Sequence, residues 1–179
     1  MTSILGDEAH VIPLLPSQEV VKTQYKLMAK IITQAAGLVK GNSSVRGYEQ
    51  WVPVVNYNMH VARNLDAQDK LIGVPDAQLF RFTCLWDSGP IVALTQSIFT
   101  AEEVISCELH CLRAGTQGEI EPVVEIILEK GRVLDVVYVY SHPAGPLIII
   151  DIHPTKLKII DKTSKTEFAW DLTQLTRVM

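Results

Sequence analysis

Cysteine is scarce in this chain: Cys84, Cys107 and Cys111 are the only three in 179 residues. An odd count rules out a fully paired disulfide framework and suits reduced thiols in an intracellular compartment. Aromatic residues make up only 7%, and Trp51, Trp86 and Trp170 lie far apart. No apolar run approaches the ~20 residues of a membrane-spanning helix. Met1–Leu15 lacks the positive start and apolar core of a signal peptide. A cytoplasmic location is therefore expected, with peripheral membrane contact left open. Basic residues never occur three in a row, and the net charge is −4. Binding to nucleic acid is driven by phosphate neutralisation, so nucleic acid is not expected as a main partner. There is no Gly-x-Ser-x-Gly elbow, and Gly37–Gly41 has neither the spacing nor the ending of a phosphate-binding loop. No cofactor is implied.

What is present is ordinary globular material, 47% hydrophobic and 20% charged, enough for one domain with a sizeable core. The organising stretch is Pro122–Trp170. It divides into apolar segments at Val123–Leu128, Val133–Tyr140, Leu147–Ile152, Leu157–Ile160 and Thr166–Trp170. The separators are Glu129–Arg132, Ser141–Pro146, His153–Thr155 and Asp161–Lys165, rich in turn formers. That punctuation predicts an antiparallel meander, with Gly131 at a tight hairpin.

Upstream, Met1–Pro16 reads as an extended arm, because its two prolines disfavour helix while Ile12, Leu14 and Leu15 seek cover. Ser17 suits a helix N-cap, and Val21, Leu27, Met28, Ile31, Ile32 and Leu38 recur at helical spacing as far as Lys40. Trp51–Val55 and Leu79–Trp86 suggest strands, Asn64–Ile72 a short helix closed by Gly73. In Leu79–Trp86, Phe80, Phe82, Cys84 and Trp86 alternate onto one face. Ile91–Phe99 fits either helix or strand. Thr100 with Glu103 resembles a capping box opening a second helix to Ala114. Asp171–Met179 reads as a closing helical turn. The fold expected is α+β: a meander of about five to seven strands, possibly part-closed, covered by helices at 17–40 and 100–114. The domain plan is an arm at 1–16 and one domain over 17–179, with a mixed region at 51–115 and the meander at 122–170.

Candidate chemistry is sparse. Asp151 and His153 share one face of a strand, and a carboxylate beside an imidazole can bind a divalent metal. A hydrophobic strand ending Asp151-Ile152-His153 resembles the first metal motif of calcineurin-like phosphoesterases, which implies a metal-dependent hydrolase. That family needs further His and Asn ligands downstream, and none follows His153. The plainer alternative is a strand end meeting solvent. Cys107, His110 and Cys111 would gather along one side of a helix, and with Cys84 could supply four soft ligands to zinc. Against this, cysteine is commonly a buried small residue. Cys84 with His60 or His110 could form a thiol–imidazole pair. Glu119, Glu121, Glu125 and Glu129 alternate as a solvated strand face. Leu157–Thr163 with Phe168 and Leu172 resembles a central hairpin of the pleckstrin-homology/phosphotyrosine-binding superfold, although there the closing helix follows further strands, and no binding residue is carried over.

Two functional readings follow. The leading one is a non-catalytic, self-associating structural protein of the coat, matrix or scaffold type, including viral coats and matrices. Its partners would be other copies, or another protein, met through Ile12, Leu14, Leu15, Val21, Leu27, Met28, Ile31, Ile32 and Leu38. The other is a ligand-binding or enzymatic barrel lined by Tyr138, Tyr140, Phe168, Trp170 and His153.

Overall fold

A computed structural model of the chain describes residues 25–65, 68, 71–114, 119–140, 145–172 and 176–177. The expected arm, Ser17 and Val21 lie outside the described residues. The elements are β1 (Tyr25–Thr33), β2 (Gly37–Val39), β3 (Val52–Leu65), β4 (Leu71–Leu85), α1 (Ile91–Thr100), β5 (Glu103–Ala114), β6 (Ile120–Val139), β7 (Leu147–His153), β8 (Lys156–Asp161), β9 (Thr166–Asp171) and β10 (Thr176–Arg177). The protein is mostly β with one short helix, so the α+β expectation is corrected.

The first correction concerns the long helix. Residues 25–33 form β1, because Leu27, Ala29, Ile31 and Thr33 alternate onto one face, of which Ala29, Ile31 and Thr33 are buried. Branching at Ile31, Ile32 and Thr33 favours the extended chain. The strand then turns through residues 34–36, where the Ala36 amide donates to Thr33 Oγ1 at 3.2 Å. Gly37, at φ +63°, takes the left-handed position that starts β2.

The second helix also moves. Residues 103–114 form β5, with Cys107, Leu109 and Cys111 on one face and Glu108 and His110 on the other. Thr100 ends α1 instead of capping a new helix, and Pro90 stands at its N-terminus. Asn64–Leu65 and Leu71–Ile72 belong to the β3–β4 hairpin, not to a helix. Near the C-terminus, Thr176–Arg177 pairs with Trp170–Asp171 as β10, in place of the expected helical turn.

Strands β6, β5, β1, β3, β4 and β7 pair antiparallel in that order, and β7 pairs back with β6 to close a six-stranded barrel. Phe80, Phe82 and Cys84 on β4 face Ile152, Ile150 and Ile148 on β7, and all six are fully buried in the lumen. Helix α1 links β4 to β5 and adds Leu94, also fully buried, to the same core. The lumen is therefore a packed core, as small barrels require.

Gly131 makes no hairpin. β6 runs straight through it as one strand of 20 residues. Val124–Glu129 of β6 pair with β8, and Arg132–Val139 pair with β7. β7 and β8 thus lie end to end along one edge of β6, and both sides of this ribbon bend together. Lys130 takes φ +52° at the bend. Thr155, after Pro154, donates its hydroxyl to the Lys130 carbonyl at 2.7 Å. On its other edge β6 pairs with β5 from Ile120 to Arg132, so β8, β9 and β10 extend the sheet outward from a strand that stays part of the barrel.

Candidate functional site

The metal expectations fail on geometry. Asp151 lies on the outside of β7, directly across from Arg81 on β4. The guanidinium donates to both carboxylate oxygens at 2.7 Å, Nε to Oδ1 and Nη2 to Oδ2. The Asp151 hydrogen bonds, ahead of an opposing burial effect, push the Arg81 pKa above its usual value, with the charges of Asp151 and Asp135 adding to the rise. This is a bidentate structural ion pair whose carboxylate oxygens are already engaged. His153 is exposed and shares no such contact.

The soft ligands are dispersed in the same way. Because residues 107–111 form a strand, His110 projects from the opposite face to Cys107 and Cys111. Cys107 is fully buried in the barrel core, and burial, then the Glu108 charge, pushes its thiol up to about 12. Burial also raises the Cys111 thiol. Cys84 sits on β4 beside Val54 and Ile148, and none of the three cysteines forms a disulfide. Among the described residues, no group of three or more His, Cys, Asp or Glu is placed to hold a metal ion.

Nor do the proposed cavity residues converge. Tyr138 and Tyr140 stand at the end of β6, with ring centroids 5.7 and 6.3 Å from Trp86. The Tyr138 hydroxyl meets Thr95 of α1. Phe168 and Trp170 stack on β9, 6.0 Å apart and 12° from parallel. His153 borders a separate open groove of about 520 Å³, beside Lys130, Arg132, Gln34 and Thr155 at the β6 bend.

The expected interface fares differently again. Ile31 is fully buried in the lumen, and Met28 is buried on the outer side of β1 under Tyr48. Leu27 packs against the core, Ile32 is half-buried, and Leu38 stays 37% exposed. The apolar side once assigned to a helix is consumed largely by this chain's own barrel. The most exposed large apolar side chains lie elsewhere, and the sequence reading did not assign them to an interface. On α1, Phe99 is 86% and Val92 72% exposed; Trp86, Tyr138 and Tyr140 are open at the adjoining barrel end. The signal available was the helical spacing of Val92, Thr95 and Phe99 away from buried Leu94, legible only once Ile91–Thr100 is known to be a helix.

Residues 30–164 match the family of the type VI secretion system effector Hcp. No curated protein matches the chain. Among solved structures, Hcp1 from E. coli EAEC 042 pathovar, in a mutant form, superposes with a TM-score of 0.75 at 19% identity, covering 82% of this chain and 98% of that one. Hcp1 from Salmonella typhimurium gives 0.68 at 13% identity, with coverage of 86% and 99%. The secreted protein Hcp3 from Pseudomonas aeruginosa gives 0.66 at 18% identity, with coverage of 81% and 98%. At these identities the structures establish a shared fold, and the family match, which spans most of the sequence, settles the kinship: the chain belongs to the Hcp family of type VI secretion system proteins.

Proposed function

We propose that this protein is a structural subunit of a type VI secretion system, self-assembling into rings that stack into a tube and leave the cell by that route. The observation that carries this reading is the family match over residues 30–164. Hcp homologues form ring-shaped homo-hexamers stacked into tubes, and Hcp proteins are cytoplasmic before export. The viral coat or matrix reading is corrected by the same membership. Among the described residues no helix is long and apolar enough to cross a membrane.

Two features of the single chain support self-association. The barrel lumen is filled with side chains, which turns attention to the outside of the molecule. There, α1 presents Val92 and Phe99 beside Trp86, Tyr138 and Tyr140, and large open apolar groups of this kind mark contact surfaces. Leu38 on β2 is a further contact in this reading. A cyclic ring needs two different patches per subunit, since each copy meets its neighbours head to tail.

Native mass spectrometry and negative-stain electron microscopy over a concentration series test the proposal. Six-membered rings, alone or stacked, are the expected result. A chain that stays monomeric at high concentration, with no rings on the grid, overturns it.

A further inference from the structure

Residues 41–51, between β2 and β3, cross the outer face of β1 and β5 as a strap. The strap is internally bonded: Gly41 N donates to the Gln50 carbonyl at 2.7 Å, Ser43 N to Trp51 at 3.1 Å and Gln50 N to Ser43 at 3.2 Å. Beneath it Tyr48 joins Met28 and Leu112 in a small apolar cluster separate from the barrel core. In the middle of its footing stands His110, whose side chain is 13% exposed. The Trp51 ring lies 4.7 Å from the imidazole and the Tyr48 ring 5.6 Å, edge-on. The Tyr48 hydroxyl is 3.2 Å from His110 Nδ1.

We propose that this strap is a proton-controlled latch: acidification from neutral pH charges His110 and lifts residues 41–51 from β1 and β5, uncovering Met28 and Leu112.

In the neutral imidazole, a Tyr48 hydroxyl that donates to Nδ1 leaves the ring proton on Nε2, 4.0 Å from Glu108 Oε2. Each carboxylate facing the ring already has a cation of its own. Glu108 holds Lys30 of β1 at 3.3 Å, and Lys30 also lies 5.8 Å over Trp51. Glu125 of β6 stands opposite His110 in register and holds Lys162, just after β8, at 3.1 Å. An added proton therefore arrives beneath two aromatic rings, beside carboxylates that are already paired. Burial lowers the His110 pKa below its ordinary 6.5; Glu125 and Glu108 pull it back up, and Lys162 and Lys30 push it down again. The strap supplies much of that burial, so lifting it hydrates the ring and restores the ordinary value. The docked state thus binds fewer protons than the lifted one. Docking is at full strength above about 6.5 and weakens as pH falls toward the lowered docked-state pKa.

Hydrogen exchange measured by mass spectrometry at pH 7.5 and 5.5, corrected for intrinsic rates, tests the latch on the full chain. In the wild type, peptides spanning residues 41–51 should lose protection at the lower pH, by up to about tenfold for a lifted-state value of 6.5, while β5 and β7 peptides hold theirs. In His110→Gln the strap should show the same protection at both values. Equal pH dependence in wild type and His110→Gln, or none in the wild type, overturns the proposal. If His110→Gln leaves the strap open at both pH values, the His110 imidazole titration by NMR decides. A midpoint clearly below 6.5 supports the latch, and one at or above it refutes it.

Discussion

Arg81 and Asp151 meet on the outside of the barrel with nearly all of the aspartate side chain covered, whereas the arginine keeps 44% of its surface in water. Removing the cation leaves a buried carboxylate without its two best hydrogen bonds. Hydrogen bonds to charged groups are worth about 1.5–3 kcal/mol, and access of water to the Arg81 site keeps the loss within that range. Arg81→Met should therefore lower unfolding stability by about 2 kcal/mol, read from the urea midpoint at unchanged slope. A variant as stable as the wild type would show that solvent already serves the carboxylate. The cysteines give a second expectation at this scale. With its thiol raised to about 12 and fully buried, Cys107 should not react with an aromatic disulfide reagent in the native protein. Half-buried Cys111 should react slowly, and unfolding in guanidinium should release all three thiols. Fast native labelling of Cys107, located by peptide mapping, would contradict the packed lumen. Both sites show how far single residues were legible. Alternation correctly placed Asp151 and His153 on one strand face, but nothing in the local pattern says that Arg81, seventy positions away, lies opposite Asp151. Cross-strand register is a property of the folded sheet, so the pair looked like a ligand set.

At the scale of elements, the two misread helices share a cause. Tyr25–Thr33 and Glu103–Ala114 carry apolar residues dense enough to satisfy a spacing of three or four as well as a spacing of two. Capping residues such as Ser17 and Thr100 then tipped the reading toward helix. The alternation Cys107-Glu108-Leu109-His110-Cys111 favoured a strand, and the barrel's pairing enforces one on both flanks. Phe80-Arg81-Phe82-Thr83-Cys84 was readable because its polar residues permit only one period. Glycine misled in the other direction. Gly131 and Pro154 look like turn residues, yet they mark the place where β6 exchanges β8 for β7 along one edge, and a Cβ at Gly131 would stand 2.9 Å from the His153 carbonyl oxygen. Closer still is the contact at Gly41, where a Cβ would come within 2.2 Å of the Trp51 carbonyl oxygen. The neighbour there is backbone, held by the strap's own hydrogen bonds, so it cannot swing aside. Gly41→Ala should cost about 1–3 kcal/mol, the usual range for overpacking. The damage should centre on residues 41–51, with exchange protection lost there before β4 or β7. Uniform loss across the chain would mean that the strap and barrel unfold as one unit.

For the molecule as a whole, self-association was anticipated from a stretch that the structure builds into strands. The greasy stretch at Leu27–Leu38 was assigned to other copies because a lone amphipathic helix could not hide it; as β1 and β2 it is largely absorbed by the barrel. Of the exposed large apolar side chains among the described residues, Phe99, Tyr140 and Val92 at the α1 end are the most open, and that surface carries the ring proposal to a testable point. Phe99 contacts water over 86% of its surface, so replacing it changes little inside one subunit, and exposed substitutions usually stay within about 0.5 kcal/mol. Burying the new carboxylate against a neighbour is another matter, because an unpaired charge in a dry contact is strongly disfavoured. Phe99→Glu should thus leave the thermal midpoint of the isolated subunit nearly unchanged while moving assembly to at least about tenfold higher concentration, equivalent to ~1.4 kcal/mol. Sedimentation velocity over a dilution series reads the assembly, and calorimetry at the lowest concentration reads the subunit. A drop in subunit stability would place Phe99 in the fold instead of the contact. Unchanged assembly with unchanged stability would move the contact from α1 to another face of the barrel.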